Sequence, residues 1–292
     1  MWVLTLANES SVELAVYQIA LVALLGLIAG TLGGMLGVGG SIIMIPGLVM
    51  LFGQNDQPGL NQHLYQAAAM IANVAVAVPA ARRHQRAGRM NKPVLISMLP
   101  AALVFIIVGV WLSNLSFFSE ADGPVWLGRL LAALMVYVIW VNIRKLRQPP
   151  TEKMADAESS GEATEQPVSF LRGSMVGAMM GLIAGLLGVG GGAIAVPMQQ
   201  ILLKLPLRNC IANSAAVMCV SATLGASYKN ATLAGHGLEW QTSVLLAALL
   251  APTCIVGGYL GASLTHRLPN RHVRIAFILL IAVAAVKMAK LS

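Results

Sequence analysis

Long runs of apolar residues, separated by short polar segments, cover most of this 292-residue chain. A helix needs about 20 apolar residues to cross a bilayer. Six of the runs have roughly this length, and two are longer and contain a glycine cluster. The runs fall at roughly 14–52, 64–81, 93–118, 125–143, 173–203, 209–228, 242–264 and 272–289. The pattern predicts an all-α protein that crosses a membrane many times.

The two long runs are interrupted by similar sequences. The first contains Leu-Gly-Val-Gly-Gly at 36–40, and the second contains Leu-Gly-Val-Gly-Gly-Gly at 187–192. A proline follows each cluster, at Pro46 and at Pro197. Glycine and proline favour a broken helix over a continuous one. Each long run is therefore predicted to be a broken or re-entrant hairpin.

The basic residues indicate on which side of the membrane each hairpin ends. If both hairpins return to their starting side, four basic clusters share one face, and they hold 15 of the 19 Lys and Arg residues. Cytoplasmic loops carry such an excess of positive charge. If each long run crosses only once, several of these clusters move to the outer face. The charge pattern therefore favours six ordinary spans, with both termini outside and the segment 147–169 in the cytoplasm.

The two halves of the chain repeat one another. Gly37 and Pro46 have counterparts 151 positions later, and so do the other glycines of the first cluster. Each half comprises a hairpin and three spans, and an odd number of crossings makes the second copy inverted. We expect a first repeat at 1–146, a flexible acidic cytoplasmic linker at 147–169 and a second repeat at 170–292.

Charge and composition narrow the function. The net charge of +8 does not predict nucleic-acid binding, because Lys and Arg lie between apolar runs, where they set membrane orientation. All eleven Asp and Glu residues fall outside the spans, whereas proton- and sodium-coupled carriers usually place acids inside the membrane. The spans contain no set of residues with metal-ligand spacing, so neither a metal nor another cofactor is predicted. An enzyme would need such a set, or an acid and a nucleophile.

An anion fits the glycine clusters better than a cation does. A helix that restarts after a break presents free N–H groups and the positive end of its dipole. The next helices add asparagine and serine side chains. Tight packing of glycines and interhelical hydrogen bonds are the alternative explanations of these residues. The predicted substrate-binding residues are Gly39, Gly40, Ser41, Asn73, Gly190, Gly191, Gly192, Asn213 and Ser214.

Three basic residues at span ends are candidates for an electrostatic gate: Arg82, Arg83 and Lys229. Their alternative role is anchoring at the membrane interface, where a long side chain can snorkel to water. The five histidines also fall at span ends, where exposure at the interface is expected.

The paired segments LGVGGSIIMIP and LGVGGGAIAVP, each followed by a small-residue helix, resemble the TauE/SafE sulfite exporter family. The resemblance extends from about residue 20 to 289. It implies two inverted halves, a location in the bacterial inner membrane and transport of anions such as sulfite and organosulfonates. In one departure, Ser41 stands where the second copy has Gly192, so the two anion cradles need not be equivalent.

The sequence therefore favours a transporter that exports sulfite or an organosulfonate by uniport driven by the membrane potential, with the anion held at two opposed half-helix N-termini. The alternative is an importer or channel for a sulfur anion such as thiosulfate, and an integral membrane enzyme is favoured less. The predicted surroundings are the lipid bilayer and the anionic substrate, and a homo-oligomer is compatible with the sequence.

Overall fold

The computed structural model describes residues 9–53, 62–115, 123–147 and 169–265, and a few isolated residues between 271 and 285. These ranges contain α-helices, one 3₁₀ turn and no strand, which confirms the all-α class. The helices are α1 Glu9–Leu36, α2 Ser41–Phe52, α3 Gln62–Arg86, α4 Lys92–Ser113, α5 Gly123–Arg147, α6 Phe170–Leu187, α7 Gly192–Leu202, α8 Leu207–Thr232 and α9 Trp240–Thr265, with the 3₁₀ turn at Leu233–His236.

Seven helices in the described ranges are long and apolar enough to cross a membrane. They are α1, α3, α4, α5, α6, α8 and α9. Helices α2 and α7 are shorter, with 12 and 11 residues. The last predicted span, 272–289, lies mostly outside the described residues. A multi-pass membrane protein is therefore confirmed.

Both predicted interruptions are present. Helix α1 ends at Leu36 and α2 begins at Ser41, while α6 ends at Leu187 and α7 begins at Gly192. The breaks contain glycines in the left-handed region, which other residues rarely adopt. These glycines are Gly37, Gly39, Gly188, Gly190 and Gly191.

Helix α2 runs back along α1. A Cβ atom at Gly40 would lie 3.1 Å from the carbonyl oxygen of Ala29, and one at Gly47 would contact the Leu25 side chain. The second half repeats the first of these contacts, because a Cβ at Gly191 would meet the carbonyl oxygen of Met180. Each break is therefore the turn of a helix hairpin.

The two halves pack crosswise. Helix α1 lies against α9, and α6 lies against α4. A Cβ at Gly34 would be 2.9 Å from the Cα of Gly258, and one at Gly185 would be 2.9 Å from the Cα of Gly109. Small residues allow this close approach of backbones, so packing explains the glycines within α1 and α6.

Equivalent contacts support the repeat, while its inversion and its boundaries at 1–146 and 170–292 stay predictions. The linker at 147–169 lies outside the described residues apart from its two end positions.

Candidate functional site

The two breaks meet around one asparagine and one methionine. Asn73 and Met218 each lie eleven positions after the first residue of their helix, close to the middle of α3 and α8. A Cβ at Gly39 would lie 3.0 Å from Asn73 Oδ1 and 2.9 Å from Met218 Sδ. A Cβ at Gly190 would lie 2.8 Å from both Asn73 Nδ2 and Met218 Sδ. The tertiary fold thus brings the two clusters together, and Met218 was not expected at this site.

The first break already has an acceptor at its helix N-terminus. The backbone N–H of Ser41 donates to Asn73 Oδ1 at 3.2 Å. The Ser41 hydroxyl donates to the carbonyl oxygen of Ala69 at 3.0 Å. Both groups are buried, so the neutral amide oxygen of Asn73 occupies the position at which an anion oxygen would meet α2.

The second break presents donors without an acceptor. Its N-cap residue Gly191 has no side chain, and in the described part of the chain no side chain accepts from the first N–H groups of α7 as Asn73 does at α2. The Asn73 side chain is fully buried, and its Nδ2 has no hydrogen-bond partner in the described part of the chain. An unpaired buried donor costs about 1–3 kcal/mol. The positive end of α7 and the Nδ2 group beside Gly190 therefore form an environment that an anionic oxygen would satisfy.

The breaks also contact each other directly. A Cβ at Gly192 would meet the carbonyl oxygen of Gly37 and the Cα of Val38. Ser214 Oγ donates to the same Gly37 oxygen at 2.9 Å. A cavity of about 30 Å³ lies between the breaks and α5, which is space for roughly one water molecule. The site is closed in this conformation, and Ser214 holds the closed contact.

Asn213 does not lie at the breaks. Its Oδ1 accepts from the backbone N–H of Asn91 at 2.9 Å, and its Nδ2 donates to Gln199 Oε1 at 3.3 Å. Gln199 Nε2 in turn donates to the Cys210 carbonyl at 3.2 Å. Asn213 therefore belongs to a buried polar network near the start of α8.

Arg82 and Arg83 lie near the end of α3, about 14 Å from Asn73 at the helical rise of 1.5 Å per residue. Arg83 Nε donates to Ser263 Oγ at 3.3 Å. Both residues line a groove of about 600 Å³ between α3 and α9, together with Arg86. These arginines form a basic end to that groove and do not approach the glycine breaks.

Lys229 lies near the opposite end of α8 from Asn213 and is fully buried, which is incompatible with snorkelling to water. Its Nζ lies 2.8 Å from His63 Nδ1 and donates to Ser113 Oγ at 2.8 Å and to Asn114 Oδ1 at 3.1 Å. The rings of His63 and His236 stack, with centroids 3.9 Å apart and planes inclined by 16°. We call these five residues the Lys229 cluster.

The expected exposure of the histidines is wrong for two of them. His63 is 1% exposed and His84 is 0% exposed, because the ends of α3 are covered by neighbouring helices. Their position at the ends of an apolar run did not indicate this burial. Within the described residues, no three His, Cys, Asp or Glu side chains are placed to hold a metal ion.

The amino-acid sequence matches a known family. The profile of the family described as sulfite exporter TauE/SafE matches residues 22–288. No solved structure matches the chain.

Two relatives illustrate the range of similarity. The probable membrane transporter protein MamO of Magnetospirillum gryphiswaldense is 27% identical over 288 residues, covering 91% of this chain and 44% of MamO. The chain therefore spans less than half the length of that relative. The probable membrane transporter protein YunE of Bacillus subtilis is 25% identical over 264 residues, covering 86% of this chain and 90% of YunE.

Proposed function

The chain belongs to the sulfite exporter TauE/SafE family of membrane transporters, and we propose that it exports sulfite or a small organosulfonate across the bacterial inner membrane. The observation that carries the proposal is the buried set of donors where the two breaks meet. An importer or channel for thiosulfate would use the same donors. The direction of anion transport and the saturation of the flux with substrate concentration therefore have to be measured.

The anion in this proposal binds at the second break. Its donors are the backbone N–H groups of Gly190 and Gly191 in the break, that of Gly192 at the start of α7, and the Nδ2 of Asn73. A sulfite oxygen there would satisfy the unpartnered amide hydrogens and the positive end of the helix. Both polar atoms of the Asn73 amide have a role in this proposal. Its oxygen caps α2, and its nitrogen donates to the substrate.

The remaining predicted residues act around this centre. Gly39, Gly40 and Ser41 shape the capped end, and Ser214 releases Gly37 when the breaks separate to admit substrate. Asn213 and the arginine pair Arg82 and Arg83 lie towards the end of α3 and the start of α8, where the anion would enter from the cytoplasm.

We propose the inverted topology with both termini in the periplasm. Cysteine labels introduced at 55–59 should react with an impermeant reagent added outside, and labels at 155–163 should react only after the cytoplasmic face is opened. Both loops lie outside the described residues. Reaction of both from one side would refute the hairpin topology.

The proposed driving force is the membrane potential alone. Moving one negative charge out of a negative cytoplasm releases about 2.3 kcal/mol per 100 mV. A dianion releases about 4.6 kcal/mol, which sustains roughly a thousandfold gradient. In proteoliposomes, a potassium diffusion potential set with valinomycin should therefore accelerate sulfite efflux without a pH or sodium gradient. Acceleration by a proton gradient and not by the potential would refute uniport.

Asn73→Asp tests the anion site most directly. The substitution keeps the shape of the side chain but places a carboxylate oxygen where the amide nitrogen faces Gly190. Two helix N-termini favour a negative charge there, so the protein should fold and its melting temperature should not fall. The carboxylate occupies the position of the substrate, and flux of labelled sulfite should therefore be lost.

Asn73→Leu is the matched control of similar shape. It removes the cap of α2 without adding charge, so it should lower the melting temperature and also reduce flux. If Asn73 only stabilises the fold, Asn73→Asp should transport sulfite normally while Asn73→Leu does not. Chloride and sulfate, measured in parallel, separate a sulfite carrier from an unselective pore.

A further inference from the structure

We propose that the Lys229 cluster is a second binding site for a small oxyanion, located between the central site and the membrane face at which α4 and α8 end. This inference rests on the proposed function, because the second site binds the same substrate as the central site. It differs from the central site in using a full positive charge rather than helix N-termini.

Lys229 is buried among polar side chains. Ser113 Oγ and Asn114 Oδ1 accept from its Nζ, and His63 Nδ1, at 2.8 Å, accepts as well when the ring carries its proton on Nε2. An ammonium group has three hydrogens to donate, so this set of partners fits the protonated form. In the described part of the chain no carboxylate contacts Lys229. A buried charge without a counter-ion costs several kcal/mol, and an anion would supply the missing negative charge.

The Asn114 side-chain oxygen lies between two nitrogen atoms of the cluster. Its Oδ1 accepts from Lys229 Nζ at 3.1 Å and lies 3.0 Å from His236 Nε2. An amide oxygen only accepts hydrogen bonds, so Nε2 is the protonated nitrogen of His236. Two donors from different elements thus converge on one oxygen atom. An oxyanion that displaced Asn114 would find both donors already oriented, as it would at the first glycine break.

The Lys229 cluster reaches the surface through two of its residues. Asn114 and His236 are partly exposed, whereas Lys229, His63 and Ser113 are buried beneath them. A polar path therefore leads from the surface to Lys229.

An apolar layer separates the cluster from the central site. Met70, Ile106, Val110 and Ala226 form a buried apolar group there. Met218 and Lys229 are about 16 Å apart along α8, at the helical rise of 1.5 Å per residue. A small anion cannot contact both sites at once. The Lys229 cluster is therefore a separate binding site, on the exit side of the apolar layer.

Asn114→Asp is the decisive variant. It keeps the shape of the side chain and places a carboxylate beside Lys229, so the charge is neutralised without loss of the hydrogen bonds. In vesicles of known orientation, we measure the concentration of labelled sulfite that half-saturates counterflow from each face. The variant should raise this concentration about tenfold at the Lys229 face, since a lost charge attraction of about 1.4 kcal/mol is a factor of ten, and should leave the other face unchanged.

Two further variants complete the experiment. Lys229→Gln should have the same one-sided effect, and Lys92→Gln, which removes an exposed lysine at the opposite end of α4, should have none. If Lys229→Gln does not fold, Asn114→Asp decides the question alone. Wild-type half-saturation in Asn114→Asp would overturn the proposal, and so would a new dependence of flux on a proton gradient, which would assign the cluster to proton transfer.

Binding without transport distinguishes failure of this proposal from failure of the proposed function. In the Asn73→Asp background the central site is filled, so a rise in melting temperature with added sulfite reports on the Lys229 cluster. The rise should be present in Asn73→Asp and absent from the Asn73→Asp, Asn114→Asp double variant. If that difference is found while the wild-type protein transports no sulfite, the site stands and the transport proposal fails.

Discussion

The two glycine breaks share the sequence Leu-Gly-Val-Gly-Gly but differ in structure. In the first break, Gly40 is right-handed, with φ −77°. The equivalent Gly191 of the second break is left-handed, with φ 74°, and is pressed against the backbone of Met180. Ser41 has room for a hydroxyl that bonds to α3, whereas Gly192 has no room for a side chain beside Gly37.

The difference arises from a single polar residue at the meeting point. Asn73 and Met218 occupy the same position in their helices, but only Asn73 can hydrogen-bond to a helix N-terminus. One break is therefore capped by Asn73 and the other faces its free amide nitrogen. Within the described residues, one helix end is therefore capped by a side chain and the other is not.

The largest effect is expected for Gly191→Ala compared with Gly40→Ala. A left-handed backbone and a Cβ directed at the Met180 carbonyl should together cost about 2–5 kcal/mol. Gly40→Ala requires mainly a shift of the flexible end of Met44 and should cost about 1 kcal/mol. Thermal unfolding in detergent measures both variants.

Equal melting temperatures for these two variants would show that the breaks are equivalent. The comparison also explains why a bulky residue at Gly191 cannot test anion binding alone. The side chain would disturb the hairpin of α6 and α7 before it covered any N–H group.

A smaller effect is expected for Ser41→Gly, which gives the first break the sequence of the second. The variant loses the hydrogen bond to Ala69, a cost of about 1 kcal/mol. The Asn73 cap uses the backbone of Ser41 and remains, so the sulfite flux should stay within about threefold of wild type, a change under 1 kcal/mol. Loss of flux would instead assign the Ser41 hydroxyl to substrate binding. Ser214→Ala serves as the matched loss of one hydroxyl, the one that bonds to Gly37 where the two breaks touch.

The smallest effect is expected for Met218→Leu. The substitution nearly conserves volume and should cost less than about 1.5 kcal/mol. If Asn73 supplies the only side-chain donor at the meeting point, sulfite affinity should change by less than about twofold, or 0.4 kcal/mol. Equilibrium binding of labelled sulfite checks this. A large change in affinity would mean that the Met218 sulfur contacts the anion, and the two breaks would then share the site more equally.

Much of the fold was predictable because membrane helices are encoded locally. The lengths of the apolar runs predicted the helices that span the membrane, since a bilayer of fixed thickness requires a minimum apolar length. The glycine clusters predicted both breaks, because left-handed backbone is accessible to glycine and seldom to other residues. Asn73 was found because an amide in the middle of an apolar helix requires an explanation.

The sequence by itself therefore determined the class of protein and both helix breaks, and it predicted an anion as the ligand of the helix ends. The tertiary structure alone decided that Asn73 serves both breaks, that Asn213 lies elsewhere, and that Lys229 is buried among partners from α3, α4 and the 3₁₀ turn. Those partners are up to 166 positions away in the chain. Periodicity and local propensity describe how a segment folds along its own axis. A site assembled from the ends of several helices depends on how those helices pack, and each segment's own sequence does not specify that packing.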